Sequence, residues 1–429
     1  MSATQTATQA ISKLGAVQQQ EQALLIPTYE RFPVLFERGE GAYLYDADGK
    51  KYLDLLSGIG VNALGYSHPV IEQALIAQAK RLTHISNLFF HEHQAKLAAL
   101  LTELSGLDRA FFCNSGTEAW EAAMKLARAY ARHVTSKPGG RKGTKDTKKN
   151  AKPKAKFLVM ENSFHGRTFG SLSTTGTKKY RVPFGPLVPG VTFAKFNDVA
   201  DLKKKFDANV CAIGLEAVQG EGGVQPVSKQ FIETARSLSK KTGALLIVDE
   251  IQSGLGRTGK YFAYQHYGVQ PDIVTVAKPI AAGLPLGAVL TTNKVAEAFH
   301  PGMHGTTFGG GPLACAVAVA FVNELTHDGM LKNITLVGNY FQGELNKLKA
   351  KHTCIKQVRG IGLMLAAELD NADLAKTVVK QMLAQGFIIN RTHDTVLRFL
   401  PPYIVTTSQI DSAVAALDSI LTQSTSEKA

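Results

Sequence analysis

The 429 residues are 45% hydrophobic and 19% charged, a balance that excludes a fibrous or disordered polypeptide and suits a soluble globular protein of roughly two or three domains. The longest apolar run, "LACAVAVAFV" from Leu313, ends at Asn323 and Glu324, short of the ~20 residues a membrane span needs. Most of the formal net charge of +13 sits in residues 136–156, where nine Lys or Arg face one acid, Asp146; the basicity is local and no nucleic-acid partner is expected.

In chain order, residues 1–25 read as a flexible leader. "MSATQTATQAISKLGAVQQQEQ" has Lys13 as its only basic residue. It lacks the charged start and apolar block of a secretory signal, and the arginines of a transit peptide. A cytoplasmic location is expected. In the next segment, 26–75, the stretch "GAYLYDADGKKYLDLLSG" places Asp-x-Asp-Gly turn chemistry between alternating runs, predicting a β-hairpin.

Residues 76–324 form the expected large domain. From about Asp108 to Val289, short apolar runs end repeatedly in polar residues and glycines: "AFF" before "CNSGTEA", "FLVM" before "ENSFHGRT", "VCAIGL" before "EAVQGEGG", "ALLIV" before "DEIQSGLGRTG" and "DIVTV" before "AKP". Such runs suit strands buried on both faces of a parallel sheet. Stretches such as "EAWEAAMKLARAYARH" and "KQFIETARSLSKKTG" supply intervening helices. The expectation is an α/β fold, a mostly parallel sheet with helices on both faces, whose ligand lies beyond the carboxyl ends of the strands. The basic stretch 136–156 lacks aromatic residues and apolar periodicity and reads as a disordered, solvated insertion; a polyanion-binding arm is the alternative of a different class. "LACAVAVAFV" reads as a buried helix. Residues 325–429 turn to an α+β pattern, a smaller C-terminal domain that 26–75 is expected to join. The four cysteines are far apart with no CxxC pair, which fits reduced thiols and no metal site.

The polar ends of the apolar runs hold the candidate chemistry. Lys278 is the one charged residue in "VTVAKPIAAGLPLGAVL". Its stem can pack on a core while the ammonium reaches water, or a dry setting can favour the neutral amine that forms a Schiff base. Asp249 closes "ALLIV", where a carboxylate needs a partner; one is a helix cap, another the ring nitrogen of pyridoxal phosphate, kept protonated as an electron sink. Ser115, Gly116 and Thr117 open a helix, as an ordinary cap or a phosphate cradle. "SFHGRT" offers Phe164 and His165 for a cofactor ring and Arg167 for a carboxylate. Arg398, in the apolar "VLRFLPP", needs an anion: Glu221 or a substrate carboxylate.

The ordered set "CNSGTEA", "SFHGRT", "VQGEGGV", "VDEIQSGLGRTG", "VAKP", "HGTTFGGGPLA" and "VLRFLPP" resembles the subgroup III (ω-) aminotransferases, pyridoxal-phosphate enzymes of fold type I. The likeness runs from about Tyr29 to Leu421. The opening "YERFPVLFERGEGAYLYDADGKKYLDLLSGIGVNALGYSHP" and "HISNLFFHEHQAKLAALL" are most similar to the acetylornithine aminotransferases of arginine biosynthesis. The resemblance implies that Lys278 is the Schiff-base lysine and catalytic base, and that Asp249 pairs the ring nitrogen. Gln252, one helical turn beyond Asp249, would meet the ring hydroxyl. Phe164 would cover the ring beside His165, and Ser115, Gly116 and Thr117 would hold the phosphate. Thr306 and Thr307 match a segment that reaches the phosphate from a neighbouring subunit, implying a homodimer with composite sites.

The implied reaction moves the terminal amine of N2-acetylornithine to 2-oxoglutarate. Arg167 would take the distal carboxylate. Arg398 would take the one beside the reacting carbon of glutamate, with Glu221 as its partner when that carboxylate is absent. Ornithine, succinylornithine and 4-aminobutyrate aminotransferases are the alternatives within the family. Three departures, Pro279, Gly311 and Ala217, touch loop geometry and so bear on substrate preference.

Overall fold

The computed structural model describes residues 12–136 and 154–426. The start of the leader and all but the ends of the lysine-rich insertion lie outside the described residues. Within the expected leader, Ser12 caps a helix over Lys13–Leu24, its hydroxyl accepting from the Gly15 N–H at 3.1 Å. No residue of that helix is buried, so local capping rather than packing defines it.

The predicted hairpin is present in an antiparallel run of β1 (Phe36–Glu40), β2 (Tyr43–Asp46) and β3 (Lys51–Asp54). The Asp46 carboxylate closes its turn by accepting from the N–H groups of Asp48 and Lys50.

The central sheet has seven strands. They are β4 (Arg109–Cys113), β5 (Lys156–Met160), β6 (Val191–Ala194), β7 (Val210–Glu216) and, after the two-stranded ribbon β8 (Val218–Gln219) and β9 (Gln225–Pro226), β10 (Leu245–Asp249), β11 (Ile273–Val276) and β12 (Gly287–Thr291). Their spatial order is β4-β12-β11-β10-β7-β5-β6. Only β12 runs against its neighbours. The five apolar runs read from the sequence supply five of these strands; β6 and β12 join them at positions where short runs alone carry no distinguishing pattern.

Both faces of the sheet are covered. Leu245 and Ile247 of β10 join one buried cluster with Trp120 and Ala123, from the helix Gly116–Ser136. Leu246 and Val248 join another with Phe231 and Ile232, from the helix Lys229–Thr242. Alternate side chains thus point into two cores, which is why the run is apolar throughout. Each large side chain so buried contributes ~1.5–3 kcal/mol. The apolar stretch from Leu313 lies in the helix Pro312–Thr326, largely buried as expected. No helix among the described residues is long and apolar enough to cross a membrane.

Towards the C-terminus come β13 (Ile355–Ile361), β14 (Met364–Leu369), β15 (Phe387–Ile388), β16 (Asn390–Thr392) and β17 (Val396–Phe399). Four of them form the antiparallel sheet β13-β14-β17-β16, while β15 pairs parallel with β3. The two ends of the chain therefore share a sheet. Arg257 ties this region to the turn after β10. Fully buried, it donates to the carbonyls of Leu363 and Pro401 and lies 4.6 Å over the Tyr403 ring.

Candidate active site

The carboxyl ends of β4, β7, β10 and β11 converge on a cavity of about 460 Å³. Asp249, the last residue of β10, is 4% exposed. Its carboxylate accepts from the Ile251 N–H at 3.0 Å, and its other oxygen lies 2.7 Å from His165 Nδ1. A carboxylate has no proton to give, so this contact puts the imidazole proton on Nδ1. The His165 ring stacks on Trp120, centroids 3.7 Å apart and planes nearly parallel, and the indole N–H donates to Thr174 Oγ1 at 2.8 Å. The aspartate is thus held by a stack rooted in the core.

Lys278 follows β11 with φ +44°, a left-handed conformation that side-chain-bearing residues seldom adopt and that clusters at functional positions. Burial lowers the pKa of its ammonium; the carboxylates of Asp249 and Glu221 act in the opposite direction and Arg398 reinforces the fall.

The helix Gly116–Ser136 starts at the cavity. Asn114 N–H donates to the Glu118 carboxylate at 2.6 Å while Ser115 Oγ accepts from the Glu118 N–H at 3.3 Å, a reciprocal cap. As first-turn residues, Gly116 and Thr117 have no intrahelical acceptor for their N–H groups, and both line the cavity. A Cβ on Gly116 would come within 2.8 Å of Ile251, so only glycine lets the helix start lie against the turn after Asp249.

Of the residues singled out in the sequence, Ser115, Gly116, Thr117, Phe164, His165, Arg167, Glu221, Asp249, Gln252 and Lys278 line this cavity. Arg398, 1% exposed on β17, joins through its partners: Nη1 donates to Glu221 at 2.6 Å and lies 3.4 Å from Gln252 Oε1, and Nε donates to Asn390 Oδ1 at 3.1 Å. Burial pushes the Glu221 carboxyl upward, but the charge and hydrogen bond of Arg398 prevail and hold it below the usual carboxylate value. Thr306 and Thr307 do not reach the cavity of their own chain. Thr306 Oγ1 accepts from Asn114 Nδ2 at 3.1 Å, and Thr307 is exposed. The expectation that Gln252 lies one helical turn beyond Asp249 is corrected: residues 251–258 form consecutive turns rather than a helix, because Gly254 and Gly256 interrupt the segment.

Other residues of the site went unread. Glu216 ends β7 in register with Asp249, and its carboxyl accepts from Phe164 N–H at 3.2 Å and Gly220 N–H at 3.3 Å. Burial first, and Asp249 second, push its pKa well above the ordinary value. An acid closing "VCAIGL" is the same signal that marked Asp249. Tyr180, whose ring lies 3.8 Å from the Arg167 guanidinium, had no such signal.

Two further cavities adjoin. One, of about 770 Å³, is lined by Tyr29, Ile59, Phe164, Arg167, Phe169, Tyr180, Phe184, Glu221 and Lys278. The other, of about 410 Å³, is polar, with Lys179, Tyr180, Glu221, Arg391 and Thr392 at its walls.

These residues fit pyridoxal phosphate. A buried carboxylate suited to a protonated ring nitrogen, a lysine whose burial favours the free amine, and open N–H groups at a helix start for a phosphate all border one cavity.

Comparison with known proteins agrees. The family model Aminotransferase class-III matches residues 26–421. Acetylornithine aminotransferase of Caldanaerobacter subterraneus subsp. tengcongensis is 43% identical over 94% of this chain and 98% of its own length. The protein of the same name from Methanocaldococcus jannaschii is 46% identical over 92% of this chain and 95% of its own. Ornithine aminotransferase of Toxoplasma gondii ME49 superposes with a TM-score of 0.90 at 32% identity, covering 97% of each chain.

Proposed function

This chain belongs to the class-III aminotransferases, pyridoxal-phosphate enzymes of fold type I, and from that premise we propose that it moves the terminal amino group of N2-acetylornithine to 2-oxoglutarate, giving N-acetylglutamate 5-semialdehyde and glutamate. The observation that carries this reading is the 2.6 Å Arg398–Glu221 pair beside Lys278. With Glu221 on Arg398, the site suits a donor whose reacting carbon bears no carboxylate. The neighbouring cavity with Tyr29, Ile59, Phe164 and Phe184 gives the apolar room that an acylated amino-acid arm needs.

Bound pyridoxal phosphate supplies a carbonyl for the donor amine and a protonated ring that withdraws electrons from the carbon losing its proton. Asp249, fixed by His165, would keep that ring protonated. The N–H groups of Gly116 and Thr117, with Ser115, would hold the phosphate; Phe164 would lie against the ring and Gln252 would serve its hydroxyl. Lys278 Nζ would hold the cofactor, and as a free amine it would accept the proton from the amine-bearing carbon, a task for which its lowered pKa suits it. Arg167 takes the donor's α-carboxylate in one half-reaction and the distal carboxylate of 2-oxoglutarate in the other. Arg398 exchanges Glu221 for the carboxylate beside the keto carbon.

The working form in this reading is a cytoplasmic homodimer. Leu88, Phe89 and Phe90 are exposed at 85%, 64% and 104%, and Phe308 at 68%. Asn87 Nδ2 donates to the carbonyls of Thr306 and Gly309, so these apolar side chains and the Thr306–Thr307 segment share one surface. A patch of this kind marks a partner, and a second copy would bring Thr306 and Thr307 to the neighbouring phosphate. Residues 76–324 are read as the cofactor domain, and 325–429 with 26–75 as the smaller one.

The test is one half-reaction. The visible absorbance of the cofactor-loaded protein is followed on adding N-acetylornithine, with succinylornithine, ornithine and 4-aminobutyrate in parallel. Rapid bleaching by N-acetylornithine alone is expected; preferential bleaching by another amine reassigns the donor.

A further inference from the structure

Glu221 is the one described residue that borders all three cavities. Its carboxylate oxygens face two different partners. Oε1 accepts from Arg398, while Oε2 lies 3.5 Å from Thr392 Oγ1, whose hydroxyl also donates to the Glu221 carbonyl at 2.7 Å. Thr392 stands at the wall of the polar cavity, and beyond it lie two cations. Arg391 stays at the rim through its ion pair with Asp394 at 3.8 Å, which also offsets the cavity's own acid. Lys179 has no carboxylate in ion-pair range among the described residues; its ammonium lies 5.6 Å from the Tyr180 ring.

When the carboxylate of a keto acid occupies Arg398, the Glu221 carboxylate loses its cation in a half-enclosed setting, and a charge so stranded weakens the binding that displaced it. We propose that the cavity lined by Lys179, Arg391 and Thr392 receives the displaced Glu221 carboxylate. The side chain turns from Arg398 past Thr392 Oγ1 and comes to rest between the two cations. This rests on the two-substrate reading above and adds where the displaced charge goes. Lys179 and Arg391 are then positioning residues for the acceptor, acting on its affinity through Glu221 while touching neither substrate.

The test is a double-mutant cycle on the cofactor-loaded enzyme, reading glutarate binding by calorimetry. Glutarate has both carboxylates of the acceptor and no carbonyl, so it binds without reacting. Lys179→Met with Arg391→Met should weaken glutarate about tenfold, the size two exposed ion pairs reach together, and the same pair of changes should have no effect in the Glu221→Gln background. Equal weakening in both backgrounds would mean that the cations attract the ligand directly, and no weakening in either would mean that they do not receive Glu221; each overturns the proposal. Wild-type enzyme that binds no glutarate overturns the two-substrate reading and the proposal together, whereas binding without coupling overturns the proposal alone. Both lysine and arginine are exposed, so the variants keep the fold. A crystal structure of the glutarate complex gives a second reading: Glu221 should lie in ion-pair range of Lys179 or Arg391, and Glu221 remaining on Arg398 contradicts it.

Discussion

Lys278 Nζ sits where burial, the carboxylates of Asp249, Glu221 and Glu216, and the Arg398 guanidinium act on it together. Its basicity therefore depends on which partner Arg398 holds. Arg398→Ala removes the group proposed to accept a carboxylate beside the reacting carbon. Truncating one partner of a buried charge pair costs about 2–5 kcal/mol, so the glutamate half-reaction should slow by roughly a hundredfold or more. The N-acetylornithine half-reaction should fall by less than about tenfold, since that donor leaves Arg398 to Glu221. Stopped-flow traces of the two half-reactions decide the matter, and equal losses count against the exchange of partners. At this scale the sequence was informative wherever an isolated charge met an apolar run, as with Lys278, Asp249 and Arg398. Glu216 obeyed the same rule. Tyr180, Asn390 and Thr392 could not be read, because an ordinary polar residue in a loop or short strand looks the same whether or not it faces a site.

Elements transmit packing to the site. On β7, a Cβ added at Gly214 would come within 2.8 Å of the Trp120 ring. That indole stacks on His165, and His165 holds Asp249. Gly214→Ala should therefore cost about 1–3 kcal/mol in urea unfolding, the usual effect of overfilling a packed core, and should speed loss of pyridoxal phosphate on dialysis. Unchanged stability with unchanged cofactor retention would show that strand spacing does not act on Asp249. The strands and helices that bury continuous apolar faces were legible from pattern. The turns at 251–258, where Gln252 was expected one helical turn beyond Asp249, were not, because the glycines that break the segment carry no apolar pattern to read.

For the whole molecule, the exposed Leu88, Phe89, Phe90 and Phe308 form the surface on which the homodimer reading turns. Burying one such side chain contributes about 1.5–3 kcal/mol. Phe90→Glu replaces that gain with a buried charge and should raise the dimer dissociation constant at least tenfold, seen by sedimentation as monomer, with weaker retention of pyridoxal phosphate if, as proposed, Thr306 and Thr307 serve the phosphate of the neighbouring subunit. A variant that stays dimeric with full cofactor places the interface elsewhere.

By itself the sequence determined the α/β class and the strand ends where isolated charges such as Lys278 and Asp249 gather, while the cofactor followed from the ordered motifs that resemble a known family. The first two follow from local rules: apolar runs must be buried, and a charge at the end of one needs a reason. Glu221 was already named from the sequence as a partner for Arg398; only the tertiary structure decided that Gln252 lies beside the pair, how Trp120 and His165 steady Asp249, and that Glu221 stands between three cavities. These depend on contacts between residues up to 171 positions apart in the chain, and no local pattern encodes such a distance; the packing of one sheet between two cores does.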